Sequence, residues 1–277
     1  MIPQARPAST NAPAIDPTNQ EATVPLPSLL GVFAHPDDEA LVAGGVLAAH
    51  ADSGARTAVV TTTWAPDSHR AAELADATAA LGAGKPRMLG YADHRIPHSA
   101  PGRPRFCDAP LDEVIEELVR HIRQFRPKIV VTHDAYGQLT GHPDHRHTHR
   151  VTTLAFTAAG LEHLYPGAGE PWQPAALYTA THPHSALDDL GPLLTGVDKS
   201  VLSMPDEMIT ATVDVRPWLD RKWAAILAHR SEVAKERPLP ALLSRLPDTT
   251  RNRIIGTEYF SRFRSEKSAG GLTQLAV

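Results

Sequence analysis

A histidine and two aspartates stand where an apolar run gives way to a helical one: Phe33-Ala34-His35-Pro36-Asp37-Asp38-Glu39. Residues 29–34 form a short apolar run that reads as a buried strand, and residues 40–50 place Ala, Leu and Val at helical spacing. Such a junction constrains the fold, because it puts polar groups at the carboxyl end of a buried strand. In open α/β sheets that end is the crevice where ligands bind. The partial positive charge of the helix N-terminus is expected to lower the pKa of Asp37 and Asp38 and keep both ionised. One imidazole, one carboxylate and a spare carboxylate make half of a metal site with its own base.

A second junction offers the other half. Gly141-His142-Pro143-Asp144-His145 follows the Ile/Val run at 129–132 and opens an apolar-periodic helix over 145–161. A lone His-Pro-Asp is also ordinary turn chemistry, with Pro stiffening the turn and Asp capping the helix. Two of them, each closing a strand, meet at one sheet edge if their strands are neighbours. The best ligands are then His35, Asp38 and His145, two nitrogens and an oxygen with a fourth position open to water. Zinc is the simplest choice, and iron(II) or cobalt accepts the same donors. Water on such an ion has its pKa lowered toward ~7, which makes it the nucleophile.

The pair AHPDDE and GHPDH resembles the LmbE/PIG-L family of zinc-dependent N-deacetylases, and the wording of residues 142–149, HPDHRHTH, is most similar to its mycothiol-biosynthesis branch. The likeness covers residues 29–159 and returns in Lys222-Trp-Ala-Ala-Ile-Leu-Ala-His-Arg-Ser-Glu232. It implies a Rossmann-like, mostly parallel α/β fold. It also implies removal of the N-acetyl group from an N-acetylglucosaminyl small molecule, giving free amine and acetate. By the resemblance Asp37 is the general base that passes a proton to the leaving amine. His142 holds the oxyanion, with Asp144 behind it to raise its pKa. Arg70, in His69-Arg-Ala-Ala-Glu-Leu74, and Asp93, after the third strand, match substrate-binding positions. A solvated helix face for Arg70 and a turn for Asp93 are the plainer readings. Where related enzymes carry a Tyr oxyanion donor this chain has Thr140, with Tyr136 nearby as a substitute. A metal-dependent amidase acting on a larger conjugate is the nearest enzymatic rival. A catalytically idle sugar-binding domain is the other, but it would have no need of Asp37.

Bulk properties narrow the partners. With 277 residues, 42% hydrophobic and 21% charged, the chain can build one large α/β domain. Net charge is −4 and the pI about 6.4, so no basic field recommends nucleic acid or an acidic membrane. The single cysteine, Cys107, cannot form an intramolecular disulfide and fits a reducing compartment. Residues 1–27, rich in Pro, Ala, Thr, Asn and Gln without an apolar segment, read as a disordered tail, and residues 266–277 as a flexible one. The domain is expected to span 28–265, in the cytoplasm, with an N-acetylated amino sugar as its partner. Self-association into a homo-oligomer is left open.

Between and beyond the motifs, strands are expected at 56–63 and 86–91, with helices at 69–81 and 111–125. Later strands are read at 175–180 and 209–215, with 201–204 as a further candidate. Helices are read at 216–234 and 238–246. No Gly-x-Gly-x-x-Gly follows the first strand, which removes support for a nucleotide site.

Overall fold

A computed structural model describes residues 25–265. The tails expected at the two ends lie outside the described residues, save for 25–27, which are exposed coil. The chain alternates strand and helix through its first half: β1 (Leu29–Phe33), α1 (Asp38–Asp52), β2 (Thr57–Thr63), α2 (His69–Leu81), β3 (Arg87–Tyr91), α3 (Leu111–Phe125), β4 (Ile129–His133) and α4 (Pro143–Ala158). The second half adds β5 (Ala176–Thr181), α5 (Leu187–Thr195), β6 (Ala211–Asp214), α6 (Leu219–Ala228), α7 (Arg230–Val233), α8 (Leu239–Ser244), α9 (Asp248–Ile255) and β7 (Thr257–Ser265).

Seven strands form one mixed sheet in the order β3-β2-β1-β4-β5-β7-β6. β1 pairs in parallel with β2 on one side and β4 on the other, Val32 lying opposite both Val60 and Thr132. Strand order therefore runs outward in both directions from the β1–β4 boundary, the switch point at which such sheets open a crevice. The carboxyl end of each boundary strand runs into one of the two His-Pro-Asp turns.

Both faces of β1 are covered, as its unbroken apolar run requires. Leu30 and Val32 enter a core with Leu118 and Ile122 of α3 and Val151 and Phe156 of α4. Leu29 and Phe33 enter a second core with Leu47 of α1, Leu74 of α2 and Ile226 of α6. α6 lies against both α1 and α2. α1 is also approached closely by Val215, just after β6, and this depends on Gly45, since a Cβ there would stand 2.2 Å from that of Val215. Just beneath, the buried carboxylate of Glu258 on β7 accepts the Gly45 and Val46 N–H groups at 2.7 and 2.9 Å and pairs with Lys222 at 2.7 Å.

The late half departs from its expected elements. The helix read at 216–234 breaks at His229, whose backbone leaves helical geometry (φ −79°, ψ 60°) while its ring reaches Glu39 at 2.7 Å. Residues 201–204 contribute only an isolated bridge, Pro183 to Met204, and no strand. Residues 187–195, 248–255 and 257–265 form two helices and a strand that periodicity did not reveal.

Candidate metal and catalytic site

The two turns meet as their neighbouring strands predict. His35 Nδ1 lies 3.2 Å from His145 Nε2, and Asp38 presents one oxygen to each ring at 3.3 Å. Donors bound to one tetrahedral ion at about 2.0 to 2.1 Å stand ~3.4 Å apart. The two Asp38 contacts use different oxygens of its carboxylate, and single donor atoms group within 4.8 Å of one another in two overlapping sets, His35 with His142 and His145, and Asp38 with His133 and His145. The Asp38 carboxylate is fixed from behind by the His35 N–H at 2.8 Å. Although burial opposes its charge, His145 and His133 hold Asp38 well below the usual carboxylate range. Burial pulls His145 down to about 4, leaving it neutral and able to ligate.

The opposite edge of the His35 ring is built differently. Nε2 faces Asp93 Oδ2 and Asp144 Oδ2, each at 3.2 Å. His35, Asp93, His142 and Asp144 bring donors close enough to group around a second ion. Their oxygens are already taken, however. Asp144 Oδ2 accepts the His94 N–H at 2.9 Å and its Oδ1 the Cys107 thiol at 3.1 Å, while Asp93 Oδ1 accepts the Arg95 and Ile96 N–H groups at 2.6 and 3.1 Å. A carboxylate pair satisfied in this way anchors the ring N–H and fixes which nitrogen turns to a metal. Despite the desolvation of a buried ring, Asp144, Asp38 and Asp93 raise the His35 pKa well above its ordinary value.

Two expectations are corrected here. Asp144 was read as the group behind His142; its carboxylate backs His35 instead and stays 3.8 Å from His142 Nδ1. The reason is local. His142 is the N-cap of α4, and its Nδ1 accepts the Asp144 backbone N–H at 3.2 Å. An accepting Nδ1 leaves the proton on Nε2. Burial, and after it the charge of His35, pushes the His142 pKa down to about 2 against the upward pull of Asp144, so the ring is a neutral donor and not the imidazolium expected. Likewise Asp93 has one oxygen in a turn and the other on His35, and so combines the turn reading with support of a ring.

Asp37 stands apart from this cluster. It occupies the N-cap position of α1 at φ 128°, outside the ordinary range for a side-chain-bearing residue, and makes no capping bond. Its N–H donates to Glu39 Oε2 at 3.0 Å, and Glu39 is held by His229. Arg70, expected on substrate hydroxyls, is buried and spends its guanidinium on the Pro36 carbonyl, on Glu232 and on Asp37 at 3.5 Å. The strained turn is thus clamped by residues from α2 and from the late segment 229–232, and the Asp37 carboxylate is turned to the cleft. Burial raises its pKa to about 7, Arg70 opposing and Asp38 adding to the rise. Helix polarity does not keep Asp37 ionised as expected, because desolvation outweighs it.

Reading the sequence missed His133, Glu39, His229 and Glu232. His133 ends β4 and stacks on His145 with centroids 4.0 Å apart and planes 10° from parallel. Its Nε2 lies 3.4 Å from Asp38 but accepts the Ala34 N–H at 2.9 Å, so the lone pair is engaged and the ring braces the site. A histidine closing the second boundary strand was the available signal. Glu232 lay within the late stretch already singled out for its family likeness, with no role attached. Tyr136 is 58% exposed and is not among the residues lining the cleft, whereas Thr140 is.

The cleft above these groups holds about 570 Å³ and is walled by Trp64, Leu41, Val42, Leu139 and the start of α8 at Pro238–Pro240. It is the size of a small-molecule site.

A model of the PIG-L family, described as GlcNAc-PI de-N-acetylase, matches residues 30–156. The chain is 38% identical over 239 residues to the 1D-myo-inositol 2-acetamido-2-deoxy-alpha-D-glucopyranoside deacetylase of Rhodococcus jostii, covering 74% of this chain and 81% of that one. The chain belongs to the PIG-L (LmbE) family. Among solved structures, the N,N'-diacetylchitobiose deacetylase of Pyrococcus horikoshii superposes with a TM-score of 0.57 at 18% identity, over 85% of this chain and 83% of that one. The 4-carboxy-2-hydroxymuconate hydratase of Pseudomonas putida KT2440 also gives 0.57, at 21% identity, over 89% of this chain and all of that one. The PIG-L architecture therefore carries more than one reaction, and activity has to be argued from the site.

Proposed function

We propose that this PIG-L protein is a metal-dependent N-deacetylase that hydrolyses the acetamide of an N-acetylglucosaminyl small molecule to amine and acetate. The observation that carries the reading is Asp37: a carboxylate with no capping duty, held at the cleft by a strained turn and titrating near neutrality. A sugar-binding module has no use for such a group, whereas a general base performs best with a pKa near the working pH. The names of the sequence relatives point to the same reaction.

His35, Asp38 and His145 would hold the metal, for which zinc is proposed. When bound, the ion acidifies water and polarises the acetyl carbonyl. Asp37 takes the proton of the attacking water and returns it to the amide nitrogen as the C–N bond breaks. His142 donates its Nε2–H to the carbonyl oxygen as negative charge builds there. Arg70 and Glu232 act through Asp37 by fixing its turn. We place the activity in the cytoplasm, where the half-buried Cys107 thiol would stay reduced. No helix among the described residues is long and apolar enough to cross a membrane.

The test is amine release from N-acetylglucosaminyl-inositol by metal-depleted and zinc-restored protein. Activity should return with zinc, and Asp37→Ala should bind zinc normally while losing ~10²-fold or more in kcat. Loss of zinc together with activity in that variant would make Asp37 a ligand or a structural residue and overturn the assignment.

A further inference from the structure

The lining of the cleft carries a feature that the deacetylation chemistry does not use. Arg95, Lys199 and Arg237 line it from three separate segments, following β3, α5 and α7 respectively. Among the described residues none of the three forms an ion pair. Arg237 donates to the Val197 and Asp198 carbonyls at 2.7 and 3.3 Å, which ties its loop to the one carrying Lys199. Lys235, also on this wall, is different, because Glu232 neutralises it at 2.5 Å. Asp37 and Glu232, which also line the cleft, act on the Lys199 ammonium from a distance, but neither their carboxylates nor that of Asp198 lies within 4.0 Å of any of the three cations.

Like charges gathered without a counter-ion in contact are costly, and the arrangement leaves its mark. Burial, and after it the charges of Arg237 and Arg95, pull the Lys199 ammonium below the usual lysine range against the weaker pull of Asp37 and Glu232. An anion placed among the three would relieve that repulsion and gain charge-assisted hydrogen bonds. On the reading that the acetamide lies over the metal ligands, this wall faces the rest of the substrate.

Resting on the deacetylase reading, we propose that Arg95, Lys199 and Arg237 form an anion subsite that selects amino-sugar substrates whose aglycone bears a phosphate monoester. A phosphate monoester carries close to two negative charges and three acceptor oxygens, which match three free cations better than a carboxylate does. The neutral walls near the sugar, Trp64, Leu41 and Val42, leave the selection to this end of the cleft.

The experiment compares three matched glycosides of N-acetylglucosamine: 2-hydroxyethyl, its phosphate monoester and carboxymethyl. Both kcat/KM for amine release and calorimetric Kd are measured. The phosphate ester should be favoured over the neutral glycoside by about tenfold or more, mainly in KM, the size of one or two charge-assisted bonds. In Lys199→Gln/Arg237→Gln the preference should collapse toward unity, and Lys199→Arg should keep it. Added salt should weaken it, as for any partly exposed charge pair. Equal binding of all three glycosides, or a carboxymethyl preference as large as that for phosphate, overturns the subsite. Absence of amine release from all three with zinc-loaded protein overturns the deacetylase reading instead, and the Kd series still decides the subsite.

Discussion

The two His-Pro-Asp turns share a tripeptide and little else. In the first, His35 is the candidate ligand, Asp37 sits in a strained conformation with no cap, and the next residue, Asp38, begins the helix. In the second, His142 is an unstrained cap at φ −60° and ψ 133°, Asp144 is fully buried behind His35, and the ligand candidate is the next residue, His145. The first turn keeps its aspartate available to solvent and substrate, and the second hides its own. The difference is set by what surrounds each turn. Arg70, Glu39 and His229 grip the first from outside, whereas the second is closed by its own His142–Asp144 bond. On the proposed assignment an identical motif divides the labour: one turn gives the base, and the other the oxyanion donor and the support for the opposite ligand candidate.

The largest test of this division exchanges the two histidines of the second turn. His145→Ala should abolish stoichiometric zinc binding by mass spectrometry or metal assay. His142→Ala should keep the metal and lose about 10² to 10³ in kcat, as for one missing oxyanion donor. Zinc loss in both would merge the roles. Next, Asp144→Asn should weaken zinc affinity about 10- to 100-fold through His35, measured by competition with a chelator, because it alters the partner of a ligating ring. An unchanged zinc affinity with a shifted pH–rate profile would return Asp144 to the service of His142.

The smallest effect concerns the grip on the first turn. Burial disfavours charge on His229, but Glu39 and Asp37 outweigh it and raise the pKa. A raised folded-state value means that the pair's contribution is complete below the unfolded value of ~6.5 and is lost as pH rises through the folded one. The Tm gap between the wild type and His229→Gln should accordingly narrow as pH rises from 6 to 9. A gap that widens instead would show that His229 is neutral in the folded protein.

Much of this was legible in residue order. Both boundary strands, both turns and the three ligand candidates follow from apolar runs that end in His-Pro-Asp, since periodicity reports which face is buried and the junction reports which edge is open. Partners across the fold were not legible. Nothing local says that Asp144 turns to His35, 109 positions away, or that Glu39 meets His229, 190 positions away. β7 escaped notice for a related reason. Its alternation, Glu258 and Phe260 buried with Tyr259 and Ser261 less so, is interrupted by Arg262 and Arg264, and only pairing with β5 and β6 makes it a strand.

That pairing has a consequence for how the molecule assembles. β7 is the last strand made among the described residues, yet it lies between β5 and β6, antiparallel to both. During synthesis β6 has no place in the sheet until β7 emerges to bridge it. Lys222 likewise has no carboxylate until Glu258 arrives, and the backbone of α1 lacks the acceptor that holds Gly45 and Val46. Since α6 leads directly into His229 and Glu232, the grip on Asp37 tightens only at the end of this sequence. A nascent chain would thus carry all the candidate metal ligands well before it carries the proposed base in position, and chemistry would begin only once the sheet is closed.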